Sequence, residues 1–539
     1  MLPFDNKNEL LLVLDFDEGT TLERTATSVA EFERYLAGVP EVTDFMSYVG
    51  PASPMDFNGL VRHYYLRRGD HLAELRVNLV GKKSRGQQSH AIGLRMREEL
   101  AAIAARTNAR LKLVEVPPGP PVLSTLVAEV YGRPDQEYGE LRTAAHTVRA
   151  RLEKEPGVVD TDDSVEAEWT KLVFETDKEK AAIHGVTVAD VAETLRIALA
   201  GGNAGVIRVP AERNPLAIEL RLPRPVRSSA PDLARLHVKG RAGSLVPLAE
   251  LGRWASGSVD RTIYHKNLRP VAYVSAEVAG RPPVEAIVDI LADRVSAERD
   301  PAAGATAGGE AVGSGWVSTT APRTAGGRTF IANGGGVPWA VPEGIRVHFA
   351  GEGEWKITLD VFRDLGLAFA AALVAIYILL VGQLRSFVIP VVVMLAIPLT
   401  VLGIMLGFWL LNLIAADRVG GFADPVFFTA TGMIGMIALA GIVTRDSIIL
   451  VDFIQLSLAR GRPLFDAILE SRVVRLRPIL LTAGTAMLSA APIAIDPIFS
   501  GLAWALIFGL FASTVFTLFV VPVAYWLLNA RVPHQRPAG

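Results

Sequence analysis

The sequence predicts a two-part chain. An α+β portion of split βαβ, ferredoxin-like subdomains occupies roughly the first 360 residues, and an all-α bundle of five transmembrane helices follows. Three observations predict this. Half of the 539 residues are hydrophobic, the mean hydropathy is +0.31, and the apolar residues concentrate in the last third, as in a chain that is part soluble and part membrane. Five apolar stretches, near 364–384, 387–413, 425–453, 478–495 and 499–528, reach the roughly 20 residues a helix needs to cross about 30 Å of hydrocarbon. Upstream of them, an order of strand, helix, proline and strand occurs twice, the mark of a reused structural unit.

The first unit opens on ELLLVLDFDEGTTLER: a strand, a turn at Gly19, and a helix start resembling a capping box, Thr20 with Glu23. The helical pattern QQSHAIGLRMREELAAIAARTN leads into the strand RLKLVEV, and PPGPP at 117–121 interrupts the chain. Residues 1–118 are thus a first subdomain. The similarity of YLAGVPEVTD to RLEKEPGVVD places a second across 119–166 and 259–300. Between its two parts, 167–258 forms a separate block with the strand LVFETD, the helix VTVADVAETLRIAL and the glycine-rich GGNAG. Residues 301–345, with GATAGGEAVGSGW and ANGGG, read as a flexible insertion and return strand. A pre-membrane segment (346–363), the five helices (364–530) and a tail (531–539) complete the chain.

Charge orients the helices. The third and fourth are joined by ARGRPLFDAILESRVVRLRP, with Arg460, Arg462, Arg472, Arg475 and Arg477, and the positive-inside rule puts that connection in the cytoplasm. Arg385, Arg531 and Arg536 fall on the same side. Five spans then leave residues 1–360 outside the cytoplasm, with the C-terminus inside. The opening MLPFDNKNELLLVLDFDEG carries no basic segment followed by a long apolar one that would export 360 residues. The expectation is an upstream membrane segment that this chain does not contain.

Several function classes are excluded or unsupported. A net charge of −2 without a basic tract gives no nucleic-acid partner. Zero cysteines rule out disulfides, thiolate metal sites and cysteine nucleophiles. No phosphate loop, HExxH or GxSxG motif occurs, and the nine histidines are scattered singly, so the expectation is no catalytic residue, no cofactor and no resident metal. The aromatic stretch at 45–68 offers Phe45, Tyr48 and Phe57 as a candidate substrate path; alternating strand packing accounts for most of these residues equally well.

The membrane charges are more informative. GIVTRDSIILVDF (441–453) places Arg445, Asp446 and Asp452 in an apolar span, where each charge costs roughly 2.5–3.5 kcal/mol on insertion scales and normally has a partner. Arg445 lies about 12 Å from the cytoplasmic end as read at Phe453. Arg445 and Asp452, seven apart, share a helix face, while Asp446 is turned about 100° away. The pair is either a neutralised neighbour couple or part of an ion or proton path.

GIVTRDSIILVDF, RLRPILLT, EGTTLERT, PGVVDT, the DKEKAAIHGVTVADVAETLRIALAGG block and VPLAELGRW together resemble the resistance-nodulation-cell division (RND) family of efflux permeases, in particular the C-terminal half of a hydrophobe and amphiphile efflux member. The resemblance implies a proton-driven antiporter of the bacterial inner membrane, homotrimeric, with residues 1–300 as two porter subdomains and an inserted docking subdomain. It implies that the N-terminal half of the permease, absent here, supplies seven further spans, and that a periplasmic adaptor and an outer-membrane channel are partners. Arg445, Asp446 and Thr482 fall in the family's proton-relay network. There Arg445 would be a fixed counter-charge for carboxylates of the absent half, because a guanidinium does not release its proton. Asp446 departs from the asparagine usual in the family. Amphiphilic, drug-like substrates are implied. The alternatives are a heavy-metal exporter of the same family, and a truncated or split-gene remnant or assembly subunit without transport of its own.

Overall fold

The computed structural model describes residues 4–116, 122–241, 243–295, 310–312, 315–317, 323–328, 332–415 and 417–530. The chain forms two compact units, Met1–Val165 with Ile263–Gly539, and Glu166–Thr262.

In the first unit, β1 (Glu9–Asp15), α1 (Leu22–Leu36), β2 (Val42–Pro51), α2 (Phe57–Val61), β3 (Arg68–Leu79), α3 (Ser89–Thr107) and β4 (Arg110–Glu115) follow one another. Their antiparallel sheet has the order β2-β3-β1-β4, a split βαβ arrangement. The unbroken apolar run of β1 has a physical reason. Leu10, Leu12 and Leu14 pack against Phe32 and Leu36 of α1 and Ile92, Met96 and Leu100 of α3, while Leu11 and Val13 pack with Val114 and Tyr64 on the opposite face. A strand covered on both faces needs no polar alternation. Helix α1 is capped one residue later than its sequence suggests: Thr21 accepts from the Arg24 N–H, and Thr20 donates to the Asp17 carbonyl at 2.7 Å.

The same topology recurs. β5 (Leu126–Tyr131), α4 (Tyr138–Glu153) and β6 (Val158–Asp163) precede the second unit; β7 (Tyr264–Lys266), β8 (Arg269–Val278), α5 (Pro283–Ala292) and β9 (Arg346–His348) follow it. β8 pairs with β5, β6 and β7, and β5 with β9. Leu126, Ala128 and Val130 meet Leu141, Val148, Ile287 and Ile290 in a core separate from the first.

Much of the glycine-rich stretch after α5, and PPGPP, lie outside the described residues. Within that stretch, however, residues 333–336 are buried rather than exposed. The Gly334 N–H donates to Asp289 at 2.8 Å, and the Gly335, Gly336 and Val337 N–H groups donate to Asp293 at 2.9, 3.0 and 3.2 Å. Arg151 donates to Asp293 at 2.7 Å, and Arg281 and Arg328 to Asp289 at 2.8 and 2.9 Å. Gly334 and Gly336 have φ of +92° and +71°, and a Cβ at Gly335 would lie 2.8 Å from the Arg328 guanidinium. Low complexity here reflects backbone that must approach carboxylates closely. Trp339, 4% exposed, closes the strap by donating to the Ile290 carbonyl at 2.7 Å.

The membrane part comprises α6 (Gly353–Leu384), α7 (Ile389–Met394), α8 (Ala396–Ala415), α9 (Ala430–Ala459), α10 (Leu464–Ala490) and α11 (Ser500–Asn529). These give five segments long and apolar enough to cross a membrane, α7 and α8 together making one. Their limits differ from the hydropathy reading. α6 starts at Gly353, its first turns carrying the pairs of Arg363 with Asp360 and Asp364. The arginine-rich stretch read as a connection is almost all helix, and the true turn is 460–463, with Gly461 at φ +83°. Arg472 lies over the Phe519 ring at 4.8 Å and Arg475 over Phe453 at 5.2 Å, so these charges decorate a helix surface. Small residues set the packing: a Cβ on Gly403 would collide with Ala512, on Gly407 with Phe508, and on Gly509 with Leu439, the close backbone approach typical of membrane helices.

The second unit pairs Thr170–Thr176 with Gly252–Ser258. It buries Val186, Val191, Val238, Val246, Leu248 and Leu251, and caps Val188–Ala200 with the Thr187/Asp190 box. GGNAG enters a hairpin, Gly202–Ile207 with Leu216–Leu220, not a phosphate loop.

Two substitutions test this account. Asp293→Ala strips Arg151 of a buried partner and leaves three N–H groups unsatisfied, so thermal unfolding of the purified protein should reveal a loss of about 3–5 kcal/mol; an unchanged midpoint would mean the strap is not anchored there. Gly403→Leu should sharply reduce the monodisperse fraction in detergent on size-exclusion chromatography, whereas Gly382→Leu, with open space beyond its Cα, should not.

Candidate functional site

Helix α9 spans 30 residues, so Arg445 lies near its middle, about 21–23 Å from each end, deeper than the sequence boundary implied. Ile434, Ala438, Gly441, Arg445, Ile449, Asp452 and Leu456 form an uncovered stripe along the helix, at the alternating three- and four-residue spacing of a helix seam. Arg445 is 57% exposed on that stripe. Asp446 points the other way and is 8% exposed. It joins Thr444 and Ser447, whose hydroxyls bond to the Ala440 and Gly441 carbonyls and to Thr517, respectively. The Arg445 Nε and Asp446 Oδ1 are 3.4 Å apart, a loose contact between neighbours facing different ways. Thr482 is exposed on α10, donating to the Pro478 and Ile479 carbonyls at 3.0 Å. Two of the three candidate relay residues therefore face out of this bundle and one faces in.

The aromatic candidates diverge. Phe45 packs against the first core, the Tyr48 hydroxyl reaches the Met46 sulfur at 2.7 Å, and Phe57 is 64% exposed at the start of α2. They line no common cavity among the described residues.

A cavity of about 90 Å³ does exist where the two subdomains of the first unit meet, lined by Arg62, His90, Arg97, Glu115, Glu277 and Glu354 among others. Ion pairs stitch this junction: Arg97 to Asp160 at 2.7 Å, Lys112 to Asp162 at 2.5 Å, and Arg62 to Glu277 at 3.3 Å. Asp160 also accepts the Leu113 N–H at 2.9 Å. Burial works against the Lys112 ammonium, but Asp162 and Asp15 outweigh it and hold its pKa above the ordinary value. His90 sits 2.8 Å from Glu115. Burial pulls the His90 pKa down, and the Glu115 carboxylate more than compensates, leaving it raised; reciprocally, burial raises Glu115 but His90 and Arg97 bring it below the usual range. Sequence reading treated each histidine as isolated. Glu115 is 25 residues from His90, and only the packing of α3 on β4 joins them, so no local motif announces the pair.

Residues 1–300 and 338–529 match the model of the AcrB/AcrD/AcrF family. The chain belongs to that RND permease family. It is 24% identical to the nickel-cobalt-cadmium resistance protein NccA of Alcaligenes xylosoxydans xylosoxydans, over 96% of this chain and 43% of the relative. It is 22% identical to the multidrug resistance protein MdtC of Erwinia amylovora, over 99% of this chain and 46% of the relative. In fold it resembles the crystal structure of a heavy metal efflux pump, with a TM-score of 0.70 and 20% identity over 98% of this chain and 48% of the other. The chain thus spans less than half the length of these relatives. RND family members are transporters, and the relatives divide between multidrug and metal resistance, so family membership leaves the substrate class open.

Proposed function

We propose that the chain is one half of a proton-driven RND efflux permease, working in the bacterial inner membrane with residues 1–360 periplasmic and the C-terminus cytoplasmic. Arg445 carries this reading. A guanidinium at mid-span cannot face lipid without a cost of roughly 2.5–3.5 kcal/mol or more, and its uncovered stripe asks for further helices bearing acid. Those helices belong to the N-terminal half of the permease. Their carboxylates carry the protons; Arg445 holds them ionised until protonation releases the pair. Thr482, likewise exposed, serves the same network. Residues 1–118, and 119–166 with 259–300, are porter subdomains; 167–258 docks toward a periplasmic adaptor and outer-membrane channel, and complete permeases assemble as trimers.

The proposed cargo is amphiphilic and drug-like. A second reading, export of a divalent metal ion as substrate, is favoured by the likeness to NccA and to the heavy metal efflux pump. Susceptibility assays on a pump-deficient strain expressing both halves separate the two: resistance to lipophilic cations and detergents supports the first, and resistance confined to nickel, cobalt or cadmium supports the second. Failure with every upstream half would leave a non-transporting remnant or assembly subunit. In the complete assembly, Arg445→Ala should abolish resistance at unchanged protein level; retained resistance would remove Arg445 from the mechanism. Asp446→Asn should leave resistance intact, since Asp446 faces away from the stripe, and loss of resistance would make Asp446 a titrating member of the relay.

A further inference from the structure

We propose that His90, Glu115 and Asp424 form a proton-binding site outside the membrane bundle, and that its occupancy sets how firmly the hairpin between α8 and α9 is held against the soluble subdomains. That hairpin pairs Asp417–Val419 with Phe422–Asp424. Its turn uses Gly420 and Gly421 at φ +55° and +81°, and Gly420 lies so close to the Leu94 carbonyl of α3 that a Cβ would collide with it. Across from α3, a Cβ on Gly280, just after β8, would come within 3.0 Å of the Ala423 backbone. The hairpin therefore touches both subdomains while remaining continuous with the helices on either side, one of which carries Arg445.

His90, Leu94 and Arg97 line the cavity from one face of α3, as their spacing of four and three requires. His90 is 8% exposed. The Phe4 ring stacks on its imidazole at 3.7 Å, and its Nδ1 meets Glu115 Oε1. The second Glu115 oxygen is buried without a hydrogen-bond partner among the described residues. The charges facing the imidazole sort clearly. Arg97, on its own helix, is engaged by Asp160, and Arg62 by Glu277; Arg95 is engaged by Glu41. Glu115 from β4 and Asp424 from the hairpin act on His90 as anions, Glu115 feeling Arg97 as well, with Asp417 opposite Asp424. Asp5 also lines the cavity and is engaged by Lys7 at 2.9 Å. With a neutral imidazole, Glu115 and Asp424 repel one another, and Arg97, which also acts on Glu115, is engaged by Asp160. Protonation of the imidazole adds a cation that attracts both carboxylates, so the hairpin is pinned on the acidic side and loosened on the alkaline side.

The sign follows from linkage. A histidine whose pKa is raised in the closed arrangement favours that arrangement below its ordinary value of about 6.5, and the advantage disappears as pH rises through the raised value. The site's role in transport rests on the proposed permease reading; its existence does not, and the test below needs no transport. Hydrogen exchange of the purified full chain, corrected for intrinsic rates, should show residues 89–97 and 417–424 becoming up to about tenfold better protected between pH 8.5 and 6. His90→Gln should abolish that dependence. Asp424→Asn, which removes one anion and keeps the histidine, should move its midpoint to lower pH; if His90→Gln does not fold, this variant alone decides. Protection independent of pH in the wild type, or a pH dependence surviving in His90→Gln, or an unmoved midpoint in Asp424→Asn, would overturn the proposal.

Discussion

An ionised side chain in hydrocarbon must be met by a counter-charge or by water, and the membrane half of this chain is organised around that constraint. Several charges of the helices are met locally: Arg363 by Asp360 and Asp364, Arg472 and Arg475 by aromatic rings. Arg445 is different. Its neighbour Asp446 is turned into the bundle at 3.4 Å, so the pair reduces the cost of insertion without covering the guanidinium. Ala438 and Gly441 flank it on the same stripe, and small residues there let another helix approach closely. The stripe thus combines the steric and electrostatic features of an interface.

The α+β part obeys a complementary rule. Its two subdomains each close their own hydrophobic core, and where they meet they present arginine, lysine and carboxylate. Buried pairs of this kind give little net stability over apolar packing, but breaking one is costly, so they fix registration without welding the halves together. An interface of ion pairs around a small cavity can separate and re-form in a way that a shared apolar core cannot. The Asp289/Asp293 strap illustrates the opposite use of charge: within one subdomain, three arginines and four backbone N–H groups satisfy two carboxylates so fully that the strap is part of the core.

How much of this was legible in the sequence depends on the range of the interaction. The repeated strand, helix and proline order was legible, as were the apolar β1 and the five long helices, because periodicity and hydropathy act within a few turns. The common face of Arg445 and Asp452 follows from a spacing of seven. The limits of α10 were not legible, since a stretch with five arginines looks like a solvated loop until Phe519 and Phe453 are folded against two of them, Arg472 and Arg475. Neither was ANGGG: glycine content signals mobility when nothing is known of partners, and the carboxylates that demand bare backbone lie some 40 residues upstream in another element. His90 was invisible for the same reason, its partner arriving only through sheet formation.

The two cations singled out by the structure have chemistries that divide the work between them. Arg445 carries a guanidinium, the fixed counter-charge of the proposed permease. His90 carries a titratable imidazole, and it lies outside the bundle on α3, against which the hairpin before α9 packs. On the proposed permease reading, a fixed charge among the long apolar helices and a variable one beside the hairpin act on the same compact unit. That arrangement requires the hairpin to stay short and closely packed, and Gly420 against α3 with Gly280 against Ala423 provides this: neither position leaves room for a side chain that would let the junction slip.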